Sequence, residues 1–226
     1  MAILEAKNVC FRYESKYQTT NVLKGVTCAF EEGRLYALIG KSGSGKSTFL
    51  SLLAGLLLPT SGEVLFEGTP TSSLNLTRYR REHAAVIYQS YRLLPLLTVE
   101  ENVTYPMELR GIKGKPAREK AAQLLRRVDL PDELRSRFPG MLSGGEQQRV
   151  AIARAISMDS HLMLADEPTG NLDTENSTRI IDLLLDLAHR DGYCVVVVTH
   201  DLEIAARADC VYRMRDGLLL DRKESV

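Results

Sequence analysis

The sequence has no surplus of charge of either sign: Lys plus Arg and Asp plus Glu each number 29, for a formal net charge of zero. Bulk electrostatic attraction to nucleic acid or to an anionic membrane is therefore not expected, and nucleic acid is not an expected partner. It also lacks any apolar run long enough to cross a bilayer. Leu52 to Leu58 and Val195 to Val198 are the greasiest stretches, and they read as a core helix and a buried strand. The N-terminus, Met1-Ala-Ile-Leu-Glu5, lacks a basic region followed by an apolar one, so no secretory signal is expected. Cysteines are few and scattered, at 10, 28, 194 and 210, with no Cys-x-x-Cys pair and no histidine at metal-ligand spacing. Reduced core thiols in a cytosolic protein are the expectation. Internal repeats, low-complexity tracts and disordered linkers are also missing.

What is present is an α/β pattern. Ile3 to Tyr13, Val22 to Phe30 and Arg34 to Ile39 read as strands. A helix is expected from Lys46 to about Leu57, closed by Pro59 to Gly62. Thr98 and Glu101 form the ends of a capping box, Lys115 to Val128 is rich in helix formers, and Ser143 to Ser157 is another helix. Residues from about 95 to 157 therefore read as a helical insert. Buried strands return at His161 to Ala165 and Tyr193 to Thr199, around an amphipathic stretch from Thr174 to Arg190. Cys210 to Arg215 and Leu218 to Asp221 flank the hairpin signal Asp216-Gly217. Strands with intervening helices predict a mainly parallel sheet.

Gly40-Lys41-Ser42-Gly43-Ser44-Gly45-Lys46-Ser47 matches G-x-x-x-x-G-K-[ST], with an apolar strand before it and a helix after. Glycines let backbone N–H groups turn toward phosphate oxygens, and the helix N-terminus adds its positive dipole end. Lys46 is expected to neutralise the β- and γ-phosphates and Ser47 to hold Mg²⁺, with Thr48 beside it on the nucleotide. The loop alone implies an NTP-binding protein. The strand Leu162 to Ala165 runs into Asp166-Glu167. That is a Walker B pattern, with Asp166 expected to orient Mg²⁺ and Glu167 to polarise the attacking water as general base.

Leu142-Ser143-Gly144-Gly145-Glu146-Gln-Gln-Arg149 is the most informative stretch. Ser143 and Glu146 make an S-x-x-E capping box. Two glycines in the first turn cost about 1 kcal/mol each relative to alanine, so the box leaves them unexplained. Bare backbone there can approach a phosphate closely, with the Ser143 hydroxyl donating to it.

At this point the sequence resembles the ABC ATPase family, whose signature is LSGGQ; Glu146 replaces the last glutamine and keeps the capping role. The resemblance covers about Ile3 to Asp221. It implies an ABC ATPase fold: α/β, a phosphate-loop NTPase core with a mainly parallel sheet, an N-terminal antiparallel β part and a helical subdomain. The catalytic lobe would be 1–94 and 158–226, the helical subdomain about 95–157, all in one domain. Further residues follow by position. Gln89, after the strand Ala84 to Tyr88, matches the glutamine that senses Mg²⁺ and water. Asn171-Leu-Asp173 matches the loop that crosses the dimer interface, and His200 the switch histidine on the γ-phosphate. Tyr13 matches the aromatic residue stacked on adenine, with Tyr17 nearby in a long loop. The cofactors implied are ATP and Mg²⁺, and the activity is ATP hydrolysis.

In that family the signature closes over ATP held by a second subunit. The resemblance therefore implies a head-to-tail pair, with an identical chain as the expected partner. It also implies integral-membrane permease subunits docking near Gln89 to Asn102, and a place on the cytoplasmic face of the membrane. The stretch after Gln89, with Pro168 to Asp173, looks like the macrolide-exporter and lipoprotein-releasing branch. The chain stops soon after its last hairpin, which favours export over sugar importers that carry a further C-terminal domain. Two alternatives are a non-transport ABC ATPase of DNA repair or translation and an unrelated phosphate-loop kinase or GTPase. The first usually carries coiled-coil inserts, tandem cassettes or basic patches, none of which is visible; the second leaves Ser143 to Glu146 without a role.

Overall fold

In this computed structural model, which describes residues 2–224 and side chains through 220, two sheets share the chain. The first is antiparallel, in the order β2-β1-β4-β5, built from β1 (Ala2–Glu14), β2 (Thr19–Glu31), β4 (Ser61–Phe66) and the two-residue β5 (Thr69–Pro70). The second has the order β10-β9-β3-β8-β7-β6. Its members are β3 (Arg34–Ile39), β6 (Ala84–Tyr88), β7 (Leu162–Asp166), β8 (Cys194–Thr199), β9 (Cys210–Arg215) and β10 (Leu218–Glu224). All pairs in it are parallel except the terminal β9–β10 hairpin. The helices are α1 (Lys46–Leu53), α2 (Leu76–Glu82), α3 (Val99–Leu109), α4 (Lys115–Arg127), α5 (Gly144–Ser157), α6 (Thr174–His189) and α7 (Leu202–Arg207).

Side-chain alternation assigns the two faces of the parallel sheet. Tyr36, Leu38, Leu162, Leu164, Val196 and Val198 join Phe49, Leu52 and Leu53 of α1 and Leu4, Val9, Leu23 and Phe30 of the antiparallel sheet. The intervening Leu35, Ala37, Met163, Ala165, Val195 and Val197 pack with Ile180, Leu184 and Leu187 of α6, Val150 and Ile152 of α5, and Val99 and Val103 of α3. The expected helical insert is thus continuous with the core on one side of the sheet. Burial on both faces is why β8 is an unbroken Cys-Val-Val-Val-Val-Thr run rather than an alternating one.

Registry brings four chemical segments to one edge. Ile39 pairs Thr199, and Tyr88 pairs Asp166. The loop from Gly40, the acids at 166–167, Gln89 and His200 therefore all leave the carboxyl ends of adjacent strands, where open α/β sheets bind ligands.

Several elements differ from the sequence expectation. The first helix ends at Leu53 rather than near Leu57. Its last carbonyl, Leu53 O, is taken from outside by the Tyr79 hydroxyl at 2.8 Å, and Gly55 O just beyond it by Arg80 at 2.6 Å. Gly55 turns left-handed at φ 64°, and a Cβ there would meet the Tyr79 ring at 2.8 Å. Leu56 and Leu58, expected in a core helix, are exposed. Ser61 and Gly62, expected as a helix stop, open β4, with Gly62 lying against the Asn8 backbone where β1 bulges. The helices α2 and α7 and the strand β4 have no counterpart in the sequence reading. No helix among the described residues is long and apolar enough to cross a membrane.

Candidate active site

The phosphate-loop sequence forms a cradle held from several sides. Gly43 and Gly45 take φ 79° and 102°, the left-handed region that glycine tolerates. A Cβ on Gly40 would stand 2.2 Å from Met214 O, and one on Gly45 would stand 2.9 Å from the Leu23 side chain. Gly217 N donates to Ser44 O at 3.1 Å, so the β9–β10 turn braces the loop. The Lys46 ammonium donates to Gly40 O at 2.8 Å and Lys41 O at 3.1 Å, across the mouth of the loop. The Ser44 hydroxyl is buried and lacks a hydrogen-bond partner among the described residues. Around the loop lies a cleft of about 560 Å³, lined by Val22, Gly40, Ser42, Gly43, Gly45, Lys46, Ser47, Thr48, Glu167 and His200. That volume suits a nucleotide-sized ligand.

Of the two acids Glu167 lines this cleft, and Asp166 stands behind Ser47. Ser47 Oγ donates to Asp166 Oδ1 at 3.1 Å. Burial pushes the Asp166 carboxyl above its ordinary range, reinforced by the neighbouring Glu167 charge; the Ser47 hydrogen bond and the Lys46 and Arg92 charges pull the other way. A desolvated carboxylate next to a hydroxyl is a hard-oxygen donor set of the kind Mg²⁺ prefers, so the residues fit that ion. Glu167 is mostly buried and sits at φ 48°, a strained backbone for a non-glycine residue. Its N–H donates to Val198 O at 2.9 Å, and its Oε2 lies 2.9 Å from His200 Nδ1. The acid and the histidine from two adjacent strand ends are thus already paired. Tyr13 reaches the cleft lining through Thr48, at 3.5 Å between hydroxyls, with its ring edge-on to Phe11 and half exposed.

Gln89 belongs to a second cluster. Its Nε2 lies 3.4 Å from Asn171 Oδ1, and Asn171 Nδ2 donates back to Gln89 O at 3.1 Å. The signature forms a third. Ser143 caps α5 in a full capping box, with Glu146 N donating to Ser143 Oγ and Ser143 N to Glu146 Oε2. Those bonds hold the Glu146 carboxyl below its ordinary range. Asp173 caps α6 by accepting from Asn176 N at 2.8 Å. Neither Ser143 to Glu146 nor Asp173 lines the phosphate cleft of its own chain.

A family model described as ABC transporter matches residues 23–170, well over half of the chain. The chain belongs to the ABC transporter family. It is an ATP-binding, ATP-hydrolysing member. The ABC transporter ATP-binding protein YclH of Bacillus subtilis is 40% identical over 96% of this chain and 95% of its own length. A Mycobacterium tuberculosis relative, the ABC transporter ATP-binding protein Rv0986, is 40% identical over 96% of this chain and 89% of its own. Among solved structures, the ATP-binding cassette MJ0796, seen as a dimer in a post-hydrolysis state with ADP and Pi, has a TM-score of 0.91 at 36% identity, covering 98% of both chains. The protein cbiO1 of Clostridium perfringens, part of the ABC transporter complex cbiONQ, has a TM-score of 0.86 at 26% identity, covering 99% of this chain and 88% of that one.

This ABC ATPase also has contacts that sequence reading did not supply. The two signature glycines have a reason inside the chain. A Cβ on Gly144 would meet the Tyr91 hydroxyl at 2.8 Å, and one on Gly145 would meet Asn176 Oδ1 at 2.7 Å. Asn176 in turn accepts from Arg149 at 3.0 Å, tying the signature helix to the segment capped by Asp173. Val22 in the cleft wall and Arg154 behind the Gln89 turn were also missed. Neither carries a local motif, because both act across more than sixty positions of sequence or between separate sheets.

Proposed function

We propose that this chain powers a membrane transporter whose spanning parts lie on other chains, through ATP-driven head-to-tail pairing of two such subunits. The observation that carries this reading is the separation of two half-sites. The phosphate cleft is lined by none of Ser143 to Glu146, yet that turn, with Ser143 exposed and Gly144 half-buried, has two N–H groups, at Gly144 and Gly145, with no intrahelical acceptor. A second copy turned head to tail would bring that turn over the nucleotide; that the similar cassette MJ0796 is seen as a dimer with ADP and Pi supports pairing of two such subunits.

In this reading the N–H groups of residues 43–47 and the Lys46 ammonium hold the phosphates, Lys46 exchanging its two loop carbonyls for phosphate oxygens. Tyr13 stacks on the base. Mg²⁺, held by Ser47, Asp166 and Gln89, would supply charge neutralisation at the transferring phosphate. Glu167 accepts a proton from the attacking water, while His200 fixes the carboxylate and contacts the terminal phosphate. Ser143, Gly144, Gly145, Glu146 and Asp173 act on the partner copy's nucleotide. The helical part, about 95–157, receives the permease. Buried Asn102 bonds Leu94 N, Leu94 O, Leu97 O and Thr98 O, stiffening the loop that presents Leu94 and the 87%-exposed Leu96. Exposed apolar side chains on a loop pinned from below suit a short helix of a membrane partner. Such docking places the subunit on the cytoplasmic face of the membrane, and the stretch after Gln89 favours export or extraction of the macrolide-exporter and lipoprotein-releasing kind.

The test is Glu167→Gln. The amide oxygen can still face His200, so ATP binding is retained. Hydrolysis falls by about 10²–10⁴-fold, the usual worth of a positioned general base. Light scattering with ATP and Mg²⁺ then reads a stable dimer. Normal turnover, or a monomer at saturating ATP, would refute the reading.

A further inference from the structure

The Gln89 turn is held in an unusual way from outside the nucleotide cleft. Gln89 and Ser90 are the central residues of a turn closed by Tyr91 N donating to Tyr88 O at 3.0 Å. The chain then takes two consecutive left-handed, non-glycine residues, Tyr91 at φ 58° and Arg92 at φ 46°. Such a pair persists only where surrounding contacts over-determine it. One contact is the Arg92 guanidinium, 3.8 Å above the Tyr88 ring. The decisive one comes from α5. Arg154 donates through one terminal nitrogen to Arg92 O at 2.7 Å and through the other to Tyr91 O at 3.0 Å.

Arg154 has no carboxylate partner among the described residues, although burial pulls its pKa below the ordinary value. A desolvated guanidinium normally finds an acid. Here both of its hydrogen bonds go to the carbonyls of the strained pair. The same α5 carries the signature at its first turn, where Gly144 makes room for the Tyr91 hydroxyl. The signature helix therefore grips the Gln89 turn at two points, ten residues apart on one rigid element.

We infer that Arg154 is a positioning residue for hydrolysis: its forked donation to Tyr91 O and Arg92 O sets where Gln89 stands, and links that glutamine to the movement of the signature helix. This rests on the reading of Gln89 as a side chain that faces Mg²⁺ and the attacking water. Arg154 itself touches neither. Its loss lowers turnover without loosening the phosphate cradle.

The experiment compares Arg154→Met, Arg154→Lys, Gln89→Ala and the Arg154→Met/Gln89→Ala pair in the full chain. Basal ATPase kinetics, ATP binding and hydrogen–deuterium exchange of the segment 88–93 are the readouts. Arg154→Met is expected to lower kcat about tenfold, with KM for ATP and nucleotide affinity changed less than about twofold, and to speed exchange at Tyr91. Arg154→Lys, which keeps the charge but cannot fork to both carbonyls, falls between. The double variant is expected to be no slower than Gln89→Ala. Unchanged exchange and unchanged kcat in Arg154→Met, with Gln89→Ala impaired, would overturn the inference alone. Full additivity in the double variant would also overturn it, since Arg154 would then act elsewhere. Wild-type kcat in Gln89→Ala would remove the Gln89 reading and this inference with it. Should Arg154→Met fail to bind ATP, the Lys variant carries the test, because it preserves the buried charge: wild-type exchange and kcat there count against the inference, and faster exchange with lowered kcat supports it.

Discussion

Adding one methyl group at Gly145 sets two terms of opposite sign against each other. In a helix, Gly→Ala gains up to about 1 kcal/mol from backbone entropy. The new Cβ, however, would stand 2.7 Å from Asn176 Oδ1, 2.8 Å from its Cγ and 3.3 Å from its Nδ2. Asn176 is not free to swing aside. Its N–H and side-chain amide donate to Asp173 at 2.8, 2.9 and 3.1 Å, and its Oδ1 accepts from Arg149 at 3.0 Å. Displacement breaks the Arg149 bond, and the Arg149 Nε is already buried without a partner among the described residues. A hydrogen bond to a charged group is worth about 1.5–3 kcal/mol. The net expectation is a loss of about 0.5–2 kcal/mol for Gly145→Ala, read as a lower urea midpoint at unchanged slope. In an Asn176→Ala background the obstruction is gone, and the same change should stabilise, by up to about 1 kcal/mol. The reversal of sign is the signature of the mechanism. If Gly145→Ala stabilises the otherwise wild-type chain, close approach to Asn176 is not what requires glycine there.

Two further outcomes can be checked. Burial raises the Asp166 pKa, so the folded state carries a desolvated charge that destabilises it at neutral pH, a penalty relieved as the pH falls through the raised value toward the ordinary carboxylate range. Asp166→Asn should therefore raise the urea midpoint of the nucleotide-free chain at about pH 7, with a gain that shrinks toward about pH 4; an equal gain at both would count against desolvation as its source. Ser143→Arg should leave ATP affinity of the single chain intact, because the signature does not line its own cleft, yet cut hydrolysis by about 10²-fold or more through the lost contact to the partner's nucleotide. Wild-type turnover in that variant argues for a site complete within one chain.

The phosphate-loop motif, the acid pair at the end of β7 and the capping boxes at Thr98 and Ser143 were legible because each pattern lies in residues close in sequence. Local hydrogen bonds close the capping boxes, and the loop's own glycines supply its left-handed backbone, while Leu23, Met214 and Gly217 complete the cradle from remote positions. The parallel sheet was legible too, through the doubly buried β8 run. What escaped the sequence depends on remote partners. The early end of α1 is set by Tyr79 and Arg80, about 25 residues on. The start of β4 is set by a glycine that fits over a bulge at Asn8. The signature glycines showed the same limit: the pattern offered close approach of a phosphate as their reason, and the crowding by Tyr91 and Asn176 within the chain is a second one that only the fold reveals.

The strand that leads into the phosphate cradle is made early and finished late. Its two neighbours, β8 and β9, begin at residues 194 and 210, and the cradle itself is tied by Gly217 to Ser44. A nascent polypeptide emerging from the ribosome therefore has the whole glycine-rich motif outside the exit tunnel long before it can grip a nucleotide. Competence to bind should switch on abruptly, once the β9–β10 hairpin has emerged and closed against the cradle.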